Sequence, residues 1–500
     1  MRFDSPNRQP LRFLPIPTLI LALFLNLPFS SALAAGQPLR LNAENPHYFE
    51  FRGKPTVIIT SGEHYGAVLN LDFNHKRYLE TLAQDRLNGT RTFSGAYCEA
   101  PGAFNISDNT LAPKAGRLIA PWARSDQPGY ANGGNKFDLT RWDEAYFRRL
   151  KDFMHEASRR GIIVEMNLFC PFYEESMWKL SPMNALNNVN NAGAIPRTNV
   201  YTLDKDGGLL RFQEEMTRKI VTELQGFDNL YYEICNEPYF GGVTLEWQRH
   251  IAEVIAAAEK DLGVQHLISQ NVANDKARVE QPHPGISIFN FHYASPPDTV
   301  AMNYGLNKVI GDNETGFRGT NDVPYRTEAW DFIVAGGALF NHLDYSFVVG
   351  REDGSYVYPA SQPGGGNPGF RQQMRILRDF VDKLDFVRMH PAPEILKGSF
   401  PEGVTVRVLC EPGKDYAVYV RSGLGGSKEK PRKSSFSADE FRLELNLPRG
   451  SFRVEWLDTK TGAIVKRDTI RHEGGAREFS VPAFEDDAAL AVKGTKRGGG

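Results

Sequence analysis

Residues 229–239 read Asn229-Leu230-Tyr231-Tyr232-Glu233-Ile234-Cys235-Asn236-Glu237-Pro238-Tyr239, the pattern of a short buried strand that stops abruptly. Tyr231, Tyr232 and Ile234 favour a packed, extended backbone, and Pro238 cannot continue a central ladder. An amide and a carboxylate, Asn236 and Glu237, therefore stand at the carboxyl end of a core strand, where an α/β barrel keeps its chemistry. A solvated strand end closed by turn-forming Asn and Pro fits the same letters.

The surroundings decide between the two. From residue 56 to residue 390, core-like strands alternate with amphipathic helices, the mark of βαβ units and a parallel sheet. Strands are expected at 55–60, 90–94, 162–169, the quoted stretch, 266–270, 286–291, 308–311 and 340–347. Helices are expected at 75–87, at 140–160 with Thr140 as cap, at 209–225, at 244–261 between Thr244 and Gly263, and at 370–386. Eight strands close a barrel, so the expected fold is α/β: a (β/α)8 TIM barrel over residues 40–390. Strands five to seven start only about 20 residues apart, which leaves room for short or degenerate crossover helices. A doubly wound open sheet is the alternative, but no Gly-x-Gly-x-x-Gly turn follows the first strand, which argues against a dinucleotide fold.

After Pro391 the texture changes to short alternating segments with turn signals between them. Residues 391–496 are expected to form a small C-terminal antiparallel β-sandwich accessory domain, with Trp456 in its core, a hairpin tip at 423–433 and a frayed tail at 496–500. At the other end, Arg2, Arg8 and Arg12 precede an apolar run over 14–29 and a small-residue site, Ser31-Ala32-Leu33-Ala34. Pro15, Pro17 and Pro28 interrupt a run already short of the ~20 apolar residues of a span. Residues 1–35 thus read as a cleaved signal peptide of a secreted or periplasmic protein, with no stable membrane insertion afterwards. A formal charge of −2 and the lack of a basic stripe argue against nucleic acid. Cys98, Cys170, Cys235 and Cys410 have no metal-ligand spacing and suggest buried thiols or at most one bridge.

A second carboxylate ends a second apolar strand: Lys308-Val309-Ile310-Gly311-Asp312-Asn313-Glu314-Thr315-Gly316-Phe317. In an eight-stranded barrel the fourth and seventh strand ends face one another across the mouth. Two carboxyl groups about 5 Å apart are what a retaining glycosidase needs, one as nucleophile and one as acid and then base. Period-2 alternation points Glu233, Cys235 and Glu237 one way, and Asp312 and Glu314 likewise. Inward carboxylates need compensation, which Arg91 on the second strand is placed to supply.

These residues resemble clan A glycoside hydrolases, especially the cellulase-like family 5, over residues 50–390. Glu233-Ile234-Cys235-Asn236-Glu237-Pro238 is similar to that family's fourth-strand motif, Arg91 stands where the family keeps an arginine near the nucleophile, and His292 stands where it keeps a substrate-side histidine. The resemblance implies that Glu314 attacks the anomeric carbon and that Glu237 protonates the leaving oxygen and later deprotonates water. It further implies that Asn236 holds the sugar 2-hydroxyl and that Arg91 keeps Glu314 an anion. A raised Glu237 carboxyl, held up by the neighbouring anion, is expected of the acid. Two departures stand out. The family's His-x-Tyr is here His292-Tyr293, so Tyr293 reaches the site only if the strand ends at His292. The eighth strand carries Asn341-His342-Leu343-Asp344-Tyr345 in place of a tryptophan platform.

Glu63, Glu99, Glu174 and Glu175 also follow strands at this end, and His64 is the best placed of their neighbours to bind sugar. Trp122, Tyr130, Trp178 and Tyr201 lie in long loops and are candidates to wall an exo-acting pocket or line an endo groove. With no metal cluster and no Ser/His/Asp arrangement, the expected chemistry needs no cofactor. The sequence thus predicts an exported retaining O-glycosyl hydrolase acting on β-linkages of a polysaccharide or oligosaccharide. The alternatives are a non-catalytic carbohydrate- or matrix-binding protein on a degenerate barrel, or an inverting enzyme with carboxyls ~6.5–9.5 Å apart.

Overall fold

Eight strands, each buried along its whole length except the last half of the fifth, form one parallel sheet: β1 (Ile58–Gly62), β2 (Gly89–Phe93), β3 (Ile163–Phe169), β4 (Leu230–Cys235), β5 (Leu267–Asn274), β6 (Ile288–His292), β7 (Val309–Thr315) and β8 (Leu339–Leu343). Burial on both faces is why they read as continuous apolar runs. This computed structural model describes residues 1–2, 36–423, 435–438 and 440–495. The expected signal segment therefore lies outside the described residues from position 3 to 35, as do the hairpin tip beyond Gly423 and the tail from 496.

From β2 to β8 each strand pairs with the next in the chain, and β8 returns to β1, so the sheet fits a (β/α)8 barrel. Side chains bridge the remaining seam between β1 and β2. Asn88 Oδ1 accepts from the Ile59 amide at 2.9 Å, and the Thr60 hydroxyl donates to the Gly89 carbonyl at 2.6 Å. A Cβ on Gly89 would sit 2.6 Å from Ile58, so only glycine permits this approach.

The outer layer contains α1 (His75–Gln84), α2 (Glu144–Arg159), α3 (Leu210–Leu224), α4 (Leu245–Leu262), α5 (Asp322–Val334) and α6 (Pro368–Val381). Thr244 caps α4 and Gly263 ends it in the left-handed conformation, as expected. No helix joins β5 to β6, and only Asp298–Asn303 with a 3-10 turn joins β6 to β7, in line with the tight spacing there. The α2 cap differs from expectation: Asp143, not Thr140, accepts from the first-turn amides. Thr140 instead belongs to Asn135–Trp142, which pairs with Trp122–Pro128 in a hairpin absent from the sequence reading.

Beyond residue 391 the strands β9 (Val404–Glu411), β10 (Asp415–Ser422), β11 (Arg442–Leu447), β12 (Gly450–Leu457), β13 (Ile464–His472), β14 (Gly475–Ser480) and β15 (Asp487–Gly494) form antiparallel sheets. Val418, Leu443, Leu445, Trp456 and Leu490 share a second apolar core. These sheets belong to the same unit as the barrel, residues 36–500. The junction is α5. Trp330 stacks on Tyr419 of β10 with ring centroids 5.7 Å apart, Arg326 binds Asp487 of β15, and Asp331 binds Arg407 and Arg421. Among the described residues no helix is long and apolar enough to cross a membrane, and all four cysteines are buried free thiols.

Candidate active site

Arg91 on β2 is the electrostatic centre of the barrel mouth. Its guanidinium is buried and donates to Glu165 of β3 and Glu233 of β4, to Glu314 Oε2 at 3.1 Å and to Asn236 Oδ1 at 2.7 Å. Burial opposes the cation, but Glu165, Glu233, Tyr65 and Glu314 hold its pKa well above the ordinary arginine value. The carboxylates around it are satisfied in turn. Asn313 Nδ2 donates to Glu165 and Glu233, Asn167 and Asn290 donate to Glu233, and Tyr231 donates to Glu165. A buried charge cluster with its lone pairs filled is a rigid one.

Alternation along β7 breaks where it matters. Phe291 pairs with Asp312 but His292 with Glu314, so Asn313 is the extra residue of a β-bulge. The bulge turns Asn313 inward beside Glu314. Asp312, expected to accompany Glu314, is associated instead with Glu328 of α5.

Glu314 Oε1 accepts from the Tyr293 hydroxyl at 2.7 Å, and its Oε2 accepts from the Tyr65 hydroxyl at 2.9 Å. Strand β6 does end at His292, and Tyr293 adopts φ +56°, which swings its ring into the mouth. Tyr65 at φ +59° and Glu237 at φ +37° are turned in the same way just past β1 and β4. Three non-glycine residues in the left-handed region around one carboxylate pair is the clustering expected of a functional site.

Glu237 accepts from Tyr173 at 2.6 Å, Tyr239 at 3.2 Å and His292 Nδ1 at 3.1 Å. The same His292 nitrogen is 3.6 Å from Glu314 Oε1, so the proton sits on Nδ1. One oxygen of each glutamate and that nitrogen all lie within 4.8 Å of one another. The proton balance departs from expectation. Burial raises the Glu237 carboxyl, but the His292 hydrogen bond and charge, with Tyr173 and Tyr239, hold it below its ordinary value. Burial alone would lower His292, yet Glu314 and Glu237 hold it above its ordinary value. Both directions favour a charged His292–Glu237 contact.

A cavity of about 1090 Å³ opens over these groups, lined by His64, Asn236, Glu237, Tyr293 and Glu314 among others. Arg91 and His292 stand behind its wall. His64 faces the cavity with its pKa lowered to about 4, chiefly by burial. Asn236 Oδ1 is fixed by Arg91, and its Nδ2 donates to the Tyr173 hydroxyl at 2.9 Å. Tyr65, Tyr173 and Tyr239 were missed in the sequence, although Tyr65 directly follows the singled-out His64. Trp122, Tyr130, Trp178 and Tyr201 are buried and do not line the cavity. Phe104, Phe240 and Phe317 do, each about 40% exposed (39%, 43% and 41%). Of the competing carboxylates, Glu63 is spent on the Gly66 and Ala67 amides, while Glu174 and Glu175 are solvent-exposed.

Glu99 is buried on the cavity wall, bonded by Asn109 and Tyr97, and burial pushes its carboxyl up to about 7. A carboxyl held above its unfolded value favours the native state at low pH and opposes it as pH rises towards the folded value. The Glu99→Gln variant should therefore gain stability relative to wild type between pH 4.5 and pH 8, by about 3 kcal/mol at most. Paired urea melts at the two pH values check this; a constant difference would contradict it.

By sequence, no protein-family model and no curated protein matches the chain. By structure, it is similar to a family 5 glycoside hydrolase from Bacteroides vulgatus (TM-score 0.61, 14% identity, covering 91% of this chain and 94% of that one). A second structure described as a glycoside hydrolase gives a TM-score of 0.59 at 14% identity, covering 92% and 97%. A candidate glycoside hydrolase from the same Bacteroides species gives 0.61 at 12%, covering 92% and 83%. At these identities the likeness is one of fold. In that fold, the chain resembles the glycoside hydrolases of clan A, the cellulase-like family 5 among them.

Proposed function

We propose that the chain is an exported glycoside hydrolase that cleaves β-glycosidic bonds by a retaining double displacement. One observation carries this reading: Glu237 and Glu314 face each other across the cavity, with oxygens within 4.8 Å and His292 between them. That spacing supports direct attack by one carboxylate and leaves little room for the intervening water of an inverting enzyme.

In the first step Glu314 attacks the anomeric carbon while Glu237 protonates the leaving oxygen. In this reading His292 supplies that proton to Glu237 through its Nδ1 hydrogen bond. The sugar is then esterified to Glu314. In the second step Glu237, now an anion, takes a proton from water, and the hydroxide oxygen displaces Glu314 with the original anomeric configuration restored. Tyr65 and Tyr293 orient Glu314 by donating to one oxygen each. Arg91 fixes the Asn236 amide on the cavity wall, as the residue for the 2-hydroxyl next to the reacting carbon. The C-terminal sheets serve as a β-sandwich accessory module, and residues 1–35 as a cleaved export signal.

The exposed ring faces of Phe104, Phe240 and Phe317 suit stacking on sugars. Phe240→Ala should raise KM on the order of tenfold, equivalent to about 1.4 kcal/mol of binding, with a smaller change in kcat. Steady-state kinetics on any accepted oligosaccharide separate the two. The reading as a whole is tested by a panel of polysaccharides and aryl glycosides, with the first-formed anomer followed by NMR. Retained configuration supports it, and inverted configuration or inactivity across the panel sinks it.

A further inference from the structure

The cavity does not end at the catalytic pair. Its wall also includes Arg318 and Pro324, from the segment after β7 and the start of α5, and Arg421 from β10 of the C-terminal sheet. Arg421 is only 7% exposed, and its Nε is buried without a hydrogen-bond partner. Its Nη2 lies 3.0 Å from Asp331 Oδ2, but Asp331 also serves Arg407, at 2.9 Å. Arg318 is paired only loosely, 3.5 Å from Glu328, and stays about one-third exposed at 32%.

Guanidinium groups gather at this end. Three guanidinium groups, those of Arg318, Arg407 and Arg421, face three acids, Asp331, Glu328 and Asp312. Burial pushes the carboxyls of both Asp312 and Glu328 up. Guanidinium groups that are only partly paired and line a cavity can receive the oxygens of an anion.

We propose that this arginine end of the cavity binds an anionic substituent of the glycan, a uronate carboxylate or a sulfate ester. The guanidinium groups of Arg421 and Arg318 are its donors. The proposal rests on the carbohydrate-cleaving reading of the same cavity and narrows its substrate to acidic glycans. It also makes the C-terminal sheet a contributor to substrate recognition through Arg421.

Binding separates this idea from the catalytic one. Calorimetry on the full chain carrying Glu314→Ala would use short oligomers of galacturonate, glucuronate and mannuronate, the same oligomers after carboxyl reduction, and sulfated neutral oligomers. At least one charged probe should bind ten times or more tighter than its uncharged counterpart, with a preference that shrinks as salt rises. A preference confined to the sulfated probes assigns the sulfate ester; one shown by uronates assigns the carboxylate. Adding Arg421→Met should bring the ratio close to one, and Arg421→Lys should leave it in between, since lysine keeps the charge but not the fork of donors. Should Arg421→Met fail to fold, the lysine variant and the salt titration decide. Equal binding of charged and uncharged probes, or a preference untouched by the Arg421 substitutions, overturns the proposal. Failure of the catalytic reading appears separately, as absent hydrolysis by the wild-type chain.

Discussion

Glu314→Ala should lower hydrolysis by on the order of 10⁴-fold or more, because no other group at the site can take the covalent step. Tyr65 and Tyr293 both lose their acceptor, so each hydroxyl is left facing the cavity. Glu237→Ala should lose about 10²–10⁴-fold, the usual worth of a positioned acid or base. Its loss should be smallest on aryl glycosides whose leaving groups need little protonation. A small added nucleophile such as azide should partly restore turnover of Glu314→Ala and yield a product of inverted configuration. Initial rates on graded aryl glycosides test all of this together. If wild type, Glu237→Ala and Glu314→Ala turn over equally, the enzyme reading is wrong.

Removing Arg91 should act on the fold as much as on the chemistry. Arg91→Met leaves Glu165, Glu233 and Glu314 facing one another in the barrel without their shared cation. Deleting one partner of a buried ion pair destabilises by about 3–5 kcal/mol. The pH dependence identifies the cause. Burial already pushes the Glu165 carboxyl up to about 7 against the opposing pull of Arg91, and without Arg91 it rises further. Because its folded value then lies far above the unfolded one, the native state is penalised increasingly as pH rises from about 4.5. Wild type carries the same penalty up to its own folded value of about 7, so the extra deficit of Arg91→Met should open only above about pH 7, being larger at pH 8 than at pH 6. A deficit that stays constant would assign the loss to packing on Tyr65 and Phe93 instead.

The eight core strands were legible because burial on both faces leaves little choice but continuous apolar residues. Helices such as α2 and α6, with a single apolar stripe, were equally plain. By contrast, α5 carries no stripe: Tyr325 to Val334 are all buried, with Arg326, Glu328 and Asp331 among them. Such a helix makes sense only with the C-terminal sheet on top of it, and that knowledge lies far along the chain. At the site, Glu237, Glu314, Arg91 and Asn236 announce themselves by standing at or beside strand ends. Tyr65, Tyr173 and Tyr239 lie just beyond strands β1, β3 and β4, where alternation no longer predicts direction. The bulge at Asn313 defeats alternation inside a strand by giving Glu314 an inward neighbour of the wrong parity. Counting aromatic residues could not tell Trp178, buried in the core, from Phe240, exposed over the cavity.

The dependence of α5 on the C-terminal sheet also sets an order of events in time. Arg326 finds its carboxylate on Asp487, 161 residues further along the chain, which a ribosome takes roughly 8–32 s to reach at ~5–20 residues per second. Until then the buried Arg326 of α5 lacks that carboxylate. The packing around α5 is therefore complete only once the final sheet has been made.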